Sequence, residues 1–233
     1  MRIAKIVVCA ASTLLALGAP AGAADMPEII QQPAVGLQQL GSSWYLRGDI
    51  AYRANGLSDA AWNGVAISDP GVGSAFAMGG GVGLKRGWMR FDVTADYAFP
   101  APLRGNVPGV AVFGGTVDSV VVLANVYADL GTWHAFTPYV GAGLGAAMVR
   151  TGSVANTFPQ PADGITNGQQ WNVAWALMAG IGYNVTPSVL VDLGYRYVHL
   201  GDAPSGVDQS GTMLAPHGLS ANEVRLGVRY TME

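Results

Sequence analysis

Few of the residues that can carry out chemistry stand close enough in the sequence to suggest a reaction. The three histidines are His134, His199 and His217, and a lipid hydrolase would need one of them beside a nucleophile and an orienting acid. Only His199 lies in a segment of regular polarity, and its chain neighbours are Val198 and Leu200 rather than serine. We therefore favour a packing role for His199, keep lipid hydrolysis as the weaker alternative, and predict that the chain is not an enzyme.

A glycine-rich stretch matches a cofactor-binding fingerprint. Residues 141–146 read GAGLGA, which fits G-x-G-x-x-A, and Asp163 follows at about the right distance. That fingerprint works only where a strand, a tight turn and a helix follow one another. The next residues, AMVRTGSVANTFPQP, carry no helical pattern. We interpret the glycines and alanines as small residues in a crowded, bent strand, and we predict no cofactor.

Acidic side chains are more numerous, with 15 aspartates and glutamates in the chain. Asp92 and Asp96 are candidates for acid–base chemistry, but arginines share their face of the predicted strands, which favours ion pairing. Histidines and acids do not cluster at the spacing of metal ligands, so no metal site is predicted. Five further acids fall in predicted loops, where solvation is favoured over weak binding of divalent cations: Asp59, Asp69, Asp163, Asp202 and Asp208.

The tripeptide Arg47-Gly48-Asp49 has two interpretations. It is an adhesion signal when a flexible loop displays it, but here it lies within WYLRGDIAYR. In a strand, Arg47 and Asp49 would share one face and Leu46 and Ile50 the other, because side chains alternate with a period of two. The polarity of the whole chain decides between the two.

The composition and the first residues indicate an exported membrane protein. Half of the residues are apolar and only 12% are charged, yet no apolar run reaches the about 18 residues of a membrane helix. Arg2 and Lys5 precede a short apolar run, and Ala21 and Ala23 form an A-x-A cleavage pattern. Residues 1–23 are therefore predicted to be a cleaved signal peptide, and residues 24–42 a mobile periplasmic lead-in.

The mature chain has no cysteine, because Cys9 lies inside the leader. Val8 stands where a lipoprotein leader would need a small residue, so Cys9 is interpreted as a small hydrophobe of the signal peptide. Disulfides and thiol chemistry are thereby excluded. Cleavage also leaves ten basic against fifteen acidic residues, which excludes a nucleic-acid-binding surface.

Eight segments of the mature chain alternate in polarity as strands do: 43–53, 75–85, 89–99, 117–130, 139–150, 171–184, 188–200 and 221–231. The connections alternate between long ones (54–74, 100–116, 151–170 and 201–220) and short ones (86–88, 131–138 and 185–187). Outer-membrane barrels have short periplasmic turns and longer external loops, and about 9–11 tilted residues cross the bilayer. We predict an all-β, eight-stranded antiparallel up-and-down transmembrane β-barrel over residues 43–233.

The charged residues of these strands fix which face is inside. Moving one residue along a strand reverses every side chain, and an arginine or lysine at the lipid midplane costs about 2–4 kcal/mol. Asp118 and Arg150 are assigned to the external rim. Thirteen others are predicted to form an ion-pair network in the lumen: Arg47, Asp49, Arg53, Lys85, Arg90, Asp92, Asp96, Asp129, Asp192, Arg196, Glu223, Arg225 and Arg229.

Several stretches point to a family. WYLRGDIAYR, NVYADLGTW, TPYVGAGLG, YRYVHLGD and NEVRLGVRY resemble the small outer-membrane β-barrel proteins of alphaproteobacteria, called porin-family or outer-membrane immunogenic proteins, within the OmpA-type eight-stranded class. The resemblance spans about residues 43–230. It implies a role in envelope integrity and surface contact, and some members are called porins. Outer-membrane barrels usually end on an aromatic residue, whereas this sequence ends Tyr230-Thr231-Met232-Glu233.

We therefore expect a structural protein of the cell outer membrane whose four external loops make surface contacts while an ion-pair network plugs the lumen. A narrow diffusion channel is the alternative. The expected partners are outer-membrane lipid and lipopolysaccharide, the barrel-assembly machinery, and a host or surface ligand of the loops.

Overall fold

The described part of the chain consists almost entirely of β-strands. The structure, a computed structural model, describes residues 43–62, 65–66, 68–107, 111–156, 162–165, 168–203 and 214–232. The predicted leader and lead-in, residues 1–42, lie outside these ranges. The strands are β1 (Ser43–Gly56), β2 (Asp59–Trp62), β3 (Val65–Ala66), β4 (Ser68–Val72), β5 (Ala75–Arg86), β6 (Met89–Val107), β7 (Ala111–Asp129), β8 (Phe136–Asn156), β9 (Ala162–Ile165), β10 (Gly168–Asn184), β11 (Val189–Gly201), β12 (Leu214–His217) and β13 (Leu219–Met232).

Eight of these strands close into an antiparallel barrel. The first and last strands pair, with Arg53 opposite Glu223 and Leu46 opposite Tyr230. From β1 the hydrogen-bonded order runs through β5, β6, β7, β8, β10 and β11 to β13. Each of the eight barrel strands pairs with the next barrel strand along the chain, which confirms the predicted eight-stranded up-and-down barrel. The described residues contain no helix with the length and apolarity needed to cross a membrane.

Side-chain alternation gives the barrel an apolar outer surface and an interior that holds the charged side chains. On β1, the odd-numbered residues Tyr45, Asp49 and Arg53 are buried, whereas the even-numbered Leu46 and Ile50 are exposed. The same alternation continues around the barrel, so large aliphatic and aromatic side chains cover its outer surface. Outer-membrane barrels carry such an apolar band, bounded by aromatic residues, where lipid surrounds them.

The strands extend beyond their predicted ends, and the prediction that residues 100–116 form a loop is wrong. β6 continues to Val107 and β7 begins at Ala111. The pairing slips between Ala98 and Ala101, where Pro100 lacks the N–H group that a regular ladder needs. The chain therefore forms a bulge at Pro100 rather than ending the strands, because β6 and β7 stay paired beyond it, from Ala101 to Val107 on β6.

Parts of the other long connections also form strands. β2, β3 and β12 make a small three-stranded sheet from segments 54–74 and 201–220. β4 pairs with β6, and β9 pairs with β8. The connections predicted to be short are short: residues 87–88, 130–135 and 185–188. Gly87 at the β5–β6 turn has a φ of 61°, a conformation that glycine adopts without strain.

Candidate functional site

The barrel interior brings the predicted charged residues together, with Glu223 at the centre of one cluster. Its side chain is fully buried and contacts three arginines. Arg53 and Arg196 donate from Nε at 2.7 Å to its two carboxylate oxygens, and Arg225 donates from Nη1 at 2.7 Å. Arg53 also reaches Ser119 Oγ on the opposite wall at 2.9 Å. A charged group can be buried only when it is paired and hydrogen-bonded in this way.

Two aspartates complete the charge balance around these arginines. Arg225 donates to both Asp49 and Asp96, and Arg196 donates to Asp96 at 2.7 Å. Asp49 also lies 3.2 Å from Arg47. The Arg47-Gly48-Asp49 tripeptide is thus part of β1, with both charged side chains turned into the barrel.

A second cluster surrounds Asp92. Tyr45 donates its hydroxyl to Asp92 at 2.9 Å, Arg47 donates at 3.2 Å and Asn125 donates at 2.7 Å. Arg47 also donates to the hydroxyl of Tyr127 at 2.9 Å. Both carboxylate oxygens of Asp92 therefore accept hydrogen bonds, and the carboxylate has a structural role.

The remaining charges pair near the end with the short turns. Arg90 donates to Asp129 at 2.8 Å and lies 4.7 Å from the ring centres of both Tyr127 and Tyr139, a cation–π geometry. Lys85 reaches the same aspartate at 3.1 Å. At the other side of the lumen, Arg229 binds Asp192 through Nη2 at 2.6 Å and 2.8 Å. All thirteen residues of the predicted set face the interior, and each contacts an opposite charge.

Sequence reasoning did not identify the neutral members of these clusters. Tyr45, Tyr127, Tyr139 and Asn125 are buried among the charges. For three of them the available signal was the alternation of side chains, because Tyr45 lies on the same strand face as Arg47, and Asn125 and Tyr127 lie on the same face as Asp129. Tyr139 lies on β8, whose inward face carries no predicted charge. Which of them reaches which charge depends on the pairing of distant strands.

Inward glycines make room for the clusters. A Cβ at Gly79 would overlap the carboxylate of Asp96, and a Cβ at Gly83 would lie 2.6 Å from the Tyr45 hydroxyl. In GAGLGA, a Cβ at Gly145 would overlap the carbonyl oxygen of Val122. The whole motif lies within β8, without the turn and helix of a dinucleotide site. These glycines therefore serve close packing between strands.

Between the clusters lies a cavity of about 20 Å³, measured as the space open to centres of water molecules. Arg47, Asp49, Arg196 and Arg225 line it, together with Tyr139. The Oδ2 atom of Asp49 and the Nη2 atom of Arg196 have no hydrogen-bond partner among the described residues. A space of this size holds about one water molecule, and both Asp49 and Arg196 line it.

An apolar layer, absent from the prediction, fills the lumen toward the long hairpins. On β7 it begins at Leu123 and Val121, which are fully buried, and on β11 it consists of Val198 and Leu200. On each strand these residues lie beyond the charged ones. The sequence indicated part of this layer, since Leu123 and Val121 share the inward face of β7 with Asp129. The pattern of β7 does not show that four further strands contribute to the same layer. Their residues are Leu103, Ala147, Val149, Ala174, Ala176, Leu219 and Ala221.

The histidines are not assembled with catalytic partners in the described part of the chain. His134 lies in a turn, and His217 lies 3.4 Å from the carboxylate of Asp202. His199 faces outward, where its ring stacks on Trp175 at 5.7 Å. The strand register places Ser220 opposite His199, a neighbour that the sequence did not reveal, and no hydrogen bond between described atoms joins the two side chains.

Of the predicted loop acids, the structure describes the side chain of Asp202. Gly218 donates its backbone N–H to Asp202 at 2.9 Å, and this bond holds the pKa of the carboxyl below its usual value. Asn172 donates to the Asp202 carbonyl oxygen at 2.6 Å. These contacts join the ends of β10, β11 and β13. Asp208 and the side chains of Asp59, Asp69 and Asp163 lie outside the described parts.

Toward the long hairpins, Asp118 and Arg150 occupy facing positions on β7 and β8. Their side chains face outward, with closest atoms 4.0 Å apart. Arg150 remains 47% exposed and Asp118 18% exposed. A pair at this distance and exposure stabilises the fold by at most about 1 kcal/mol.

Known proteins agree with this architecture. Residues 8–231 match the model of the outer membrane protein beta-barrel domain family. An uncharacterised protein of Brucella suis biovar 1 (strain 1330) is 30% identical over 90% of this chain and 92% of its own length.

Two solved structures share the fold. Neisserial surface protein A has a TM-score of 0.50 at 20% identity, over 82% of this chain and 99% of that one. The outer membrane protein OprG of Pseudomonas aeruginosa has a TM-score of 0.50 at 18% identity, over 81% and 95%. With the family match over nearly the whole chain and the closed eight-stranded barrel, the protein belongs to the outer-membrane β-barrel family.

Proposed function

We propose that this protein is a structural component of the outer membrane, with a closed lumen and external hairpins that make surface contacts. The observation that carries the proposal is the filled interior. Thirteen charged side chains pair across one part of the lumen, and apolar side chains pack in the other. An eight-stranded barrel has an interior just wide enough for its own side chains to fill.

The ion-pair layer supports a structural role because it joins distant strands. Glu223 on β13 contacts Arg53 on β1 and Arg196 on β11, and Arg53 continues to Ser119 on β7. Removing one partner of a buried pair costs about 3–5 kcal/mol. Such a network opposes deformation of the barrel cross-section, which is a useful property in a membrane under mechanical stress.

The apolar layer supports a closed lumen. Leu123 on β7 and Leu200 on β11 are fully buried, as are Val121 on β7, Val149 on β8 and Val198 on β11. Hydrated ions do not cross a packed apolar region readily, because it offers no polar group to replace their water.

The external hairpins support a role in contact with other molecules. β6 and β7 continue as a pair well beyond the bulge at Ala98 and Ala101, and the sheet of β2, β3 and β12 joins two connections. Paired strands present side chains with less loss of conformational entropy on binding than free loops do. A host or environmental surface ligand is the proposed partner, besides outer-membrane lipid and the machinery that inserts barrels after export by a cleaved leader.

Planar-bilayer recording tests the closed lumen. We expect the wild-type protein to give no discrete openings, whereas a Leu123→Ala/Leu200→Ala double variant should give brief ones. A matched control, Leu144→Ala/Leu193→Ala, removes the same atoms from exposed outward positions and should stay silent. Reproducible wild-type openings would replace this proposal with the alternative, a narrow diffusion channel. Silence of the interior double variant would show that closure does not depend on the apolar layer.

A further inference from the structure

Polar side chains face outward on the barrel strands mainly where those strands reach the long hairpins. On β8, the outward residues are apolar from Val140 through Leu144 to Met148, and the next outward residue is Arg150. Neighbouring strands change from apolar to polar in the same region, at Arg104, Asp118, Gln169, His199 and Asn222. This change marks the edge of the apolar band, where lipid headgroups begin.

Arg150 lies between two other polar residues of this edge. The register places Asp118 beside it on β7 and Gln169 beside it on β10. One step toward the membrane centre, Met148 faces Trp171, which is 61% exposed. The guanidinium group therefore stands directly above an apolar and aromatic surface.

The positive charge of Arg150 is only weakly paired within the protein. Among the described residues, its side chain contacts Asp118 at 4.0 Å and the sulfur of Met148 at 3.9 Å, both at the outer limit of such interactions. A guanidinium has five N–H donors in a planar fork that fits phosphate oxygens. In the interior, in contrast, Arg196 donates to the Asp96 carboxylate at 2.7 Å and Arg90 donates to the Asp129 carboxylate at 2.8 Å. Arg150 thus retains donors for an anion at the membrane surface.

We propose that Arg150 binds a phosphate group of lipopolysaccharide in the outer leaflet. Gln169 supplies a second hydrogen-bond donor beside it, and Trp171 packs against the acyl chains below the phosphate. The assignment rests on the proposed orientation, in which the long hairpins face outside, because lipopolysaccharide occupies the outer leaflet. Asp118 limits the affinity, because its carboxylate competes with the phosphate for the guanidinium.

The test measures binding of three probes to the purified folded barrel in detergent micelles: phosphorylated lipid A, dephosphorylated lipid A and phosphatidylglycerol. The wild-type protein should prefer phosphorylated lipid A to both others. Arg150→Gln should weaken that binding by about fivefold, as expected for one basic side chain at an anionic lipid surface. Arg150→Lys should lose less, and Asp118→Asn should bind more tightly than wild type.

Arg86→Gln is the matched control, since Arg86 is an exposed arginine at the opposite, short-turn end of the barrel. Its binding should equal that of wild type. The proposal is overturned if the wild-type protein binds lipid A equally with and without phosphate, if phosphatidylglycerol binds as tightly, or if Arg150→Gln binds like wild type.

Migration on a gel before and after boiling verifies the fold of each variant. If Arg150→Gln does not fold, the wild-type probe comparison and Asp118→Asn decide the question. Channel openings in the bilayer experiment would refute the closed lumen and leave these binding results unaffected.

Discussion

Replacing Glu223 with glutamine tests the central ion-pair cluster. The side chain is fully buried, and Arg53, Arg196 and Arg225 each donate to it at 2.7 Å. The amide keeps the shape of the carboxylate but removes its charge, so three guanidinium groups would share only Asp49 and Asp96. We expect the free energy of unfolding to fall by about 3–5 kcal/mol, the cost of breaking a buried pair.

The size of this loss makes it easy to detect. Typical domains are stable by about 5–15 kcal/mol, so Glu223→Gln should unfold at much lower urea concentration. Tryptophan fluorescence and gel migration of the barrel in lipid vesicles would follow the transition. The loss should change little with added salt, because buried pairs are screened much less than exposed ones.

Asp118→Asn serves as the control for Glu223→Gln. It is also a carboxylate-to-amide change, but its partner Arg150 is 4.0 Å away and half exposed, so the loss should not exceed about 1 kcal/mol. In a double-mutant cycle, Glu223→Gln and Arg53→Gln together should destabilise less than the sum of the single changes. Equal stability of Glu223→Gln and Asp118→Asn would refute the reasoning.

Three further predictions concern packing, pH and catalysis. Gly145→Ala should cost about 1–3 kcal/mol by forcing strands apart. Gly114→Ala should be neutral in urea unfolding, because no described atom lies within 4 Å of the added Cβ; equal stability of the two variants would contradict this. The bond from Gly218 N–H to Asp202 should persist above the ordinary carboxyl pKa of 3.8 and be lost as pH falls through the lower folded value. Amide hydrogen exchange at Gly218 against pH measures this, and Asp202→Asn should abolish the dependence. His199→Ala should leave acyl release from lipid at the wild-type background, since its ring stacks on an aromatic neighbour; a wild-type activity lost on substitution would instead support a hydrolase.

The outward and inward faces of the strands were predictable from the sequence. A charge on the lipid face is costly, so alternation along WYLRGDIAYR is enough to turn Arg47 and Asp49 inward. The ends of the strands were less predictable. Pro100 and the glycines around it indicate a loop locally, but the partner strand continues the backbone hydrogen bonds of β6 to Val107.

The partners inside the lumen were not predictable. Arg53 and Glu223 are 170 residues apart, and Arg225 and Asp49 are 176 apart. Their contacts require both the closure of the barrel and its register. The same holds for Ser220, which comes to face His199 only when β11 and β13 pair.

The sequence by itself determined that this chain forms a closed sheet with charged residues inside and apolar residues toward lipid. The reason is that alternation with a period of two is local and each residue contributes to it independently. The tertiary structure alone decided which charges pair, where the apolar layer lies, and that Arg150 is only loosely paired. Those features depend on the stagger between strands, which sets the height of every side chain relative to all the others.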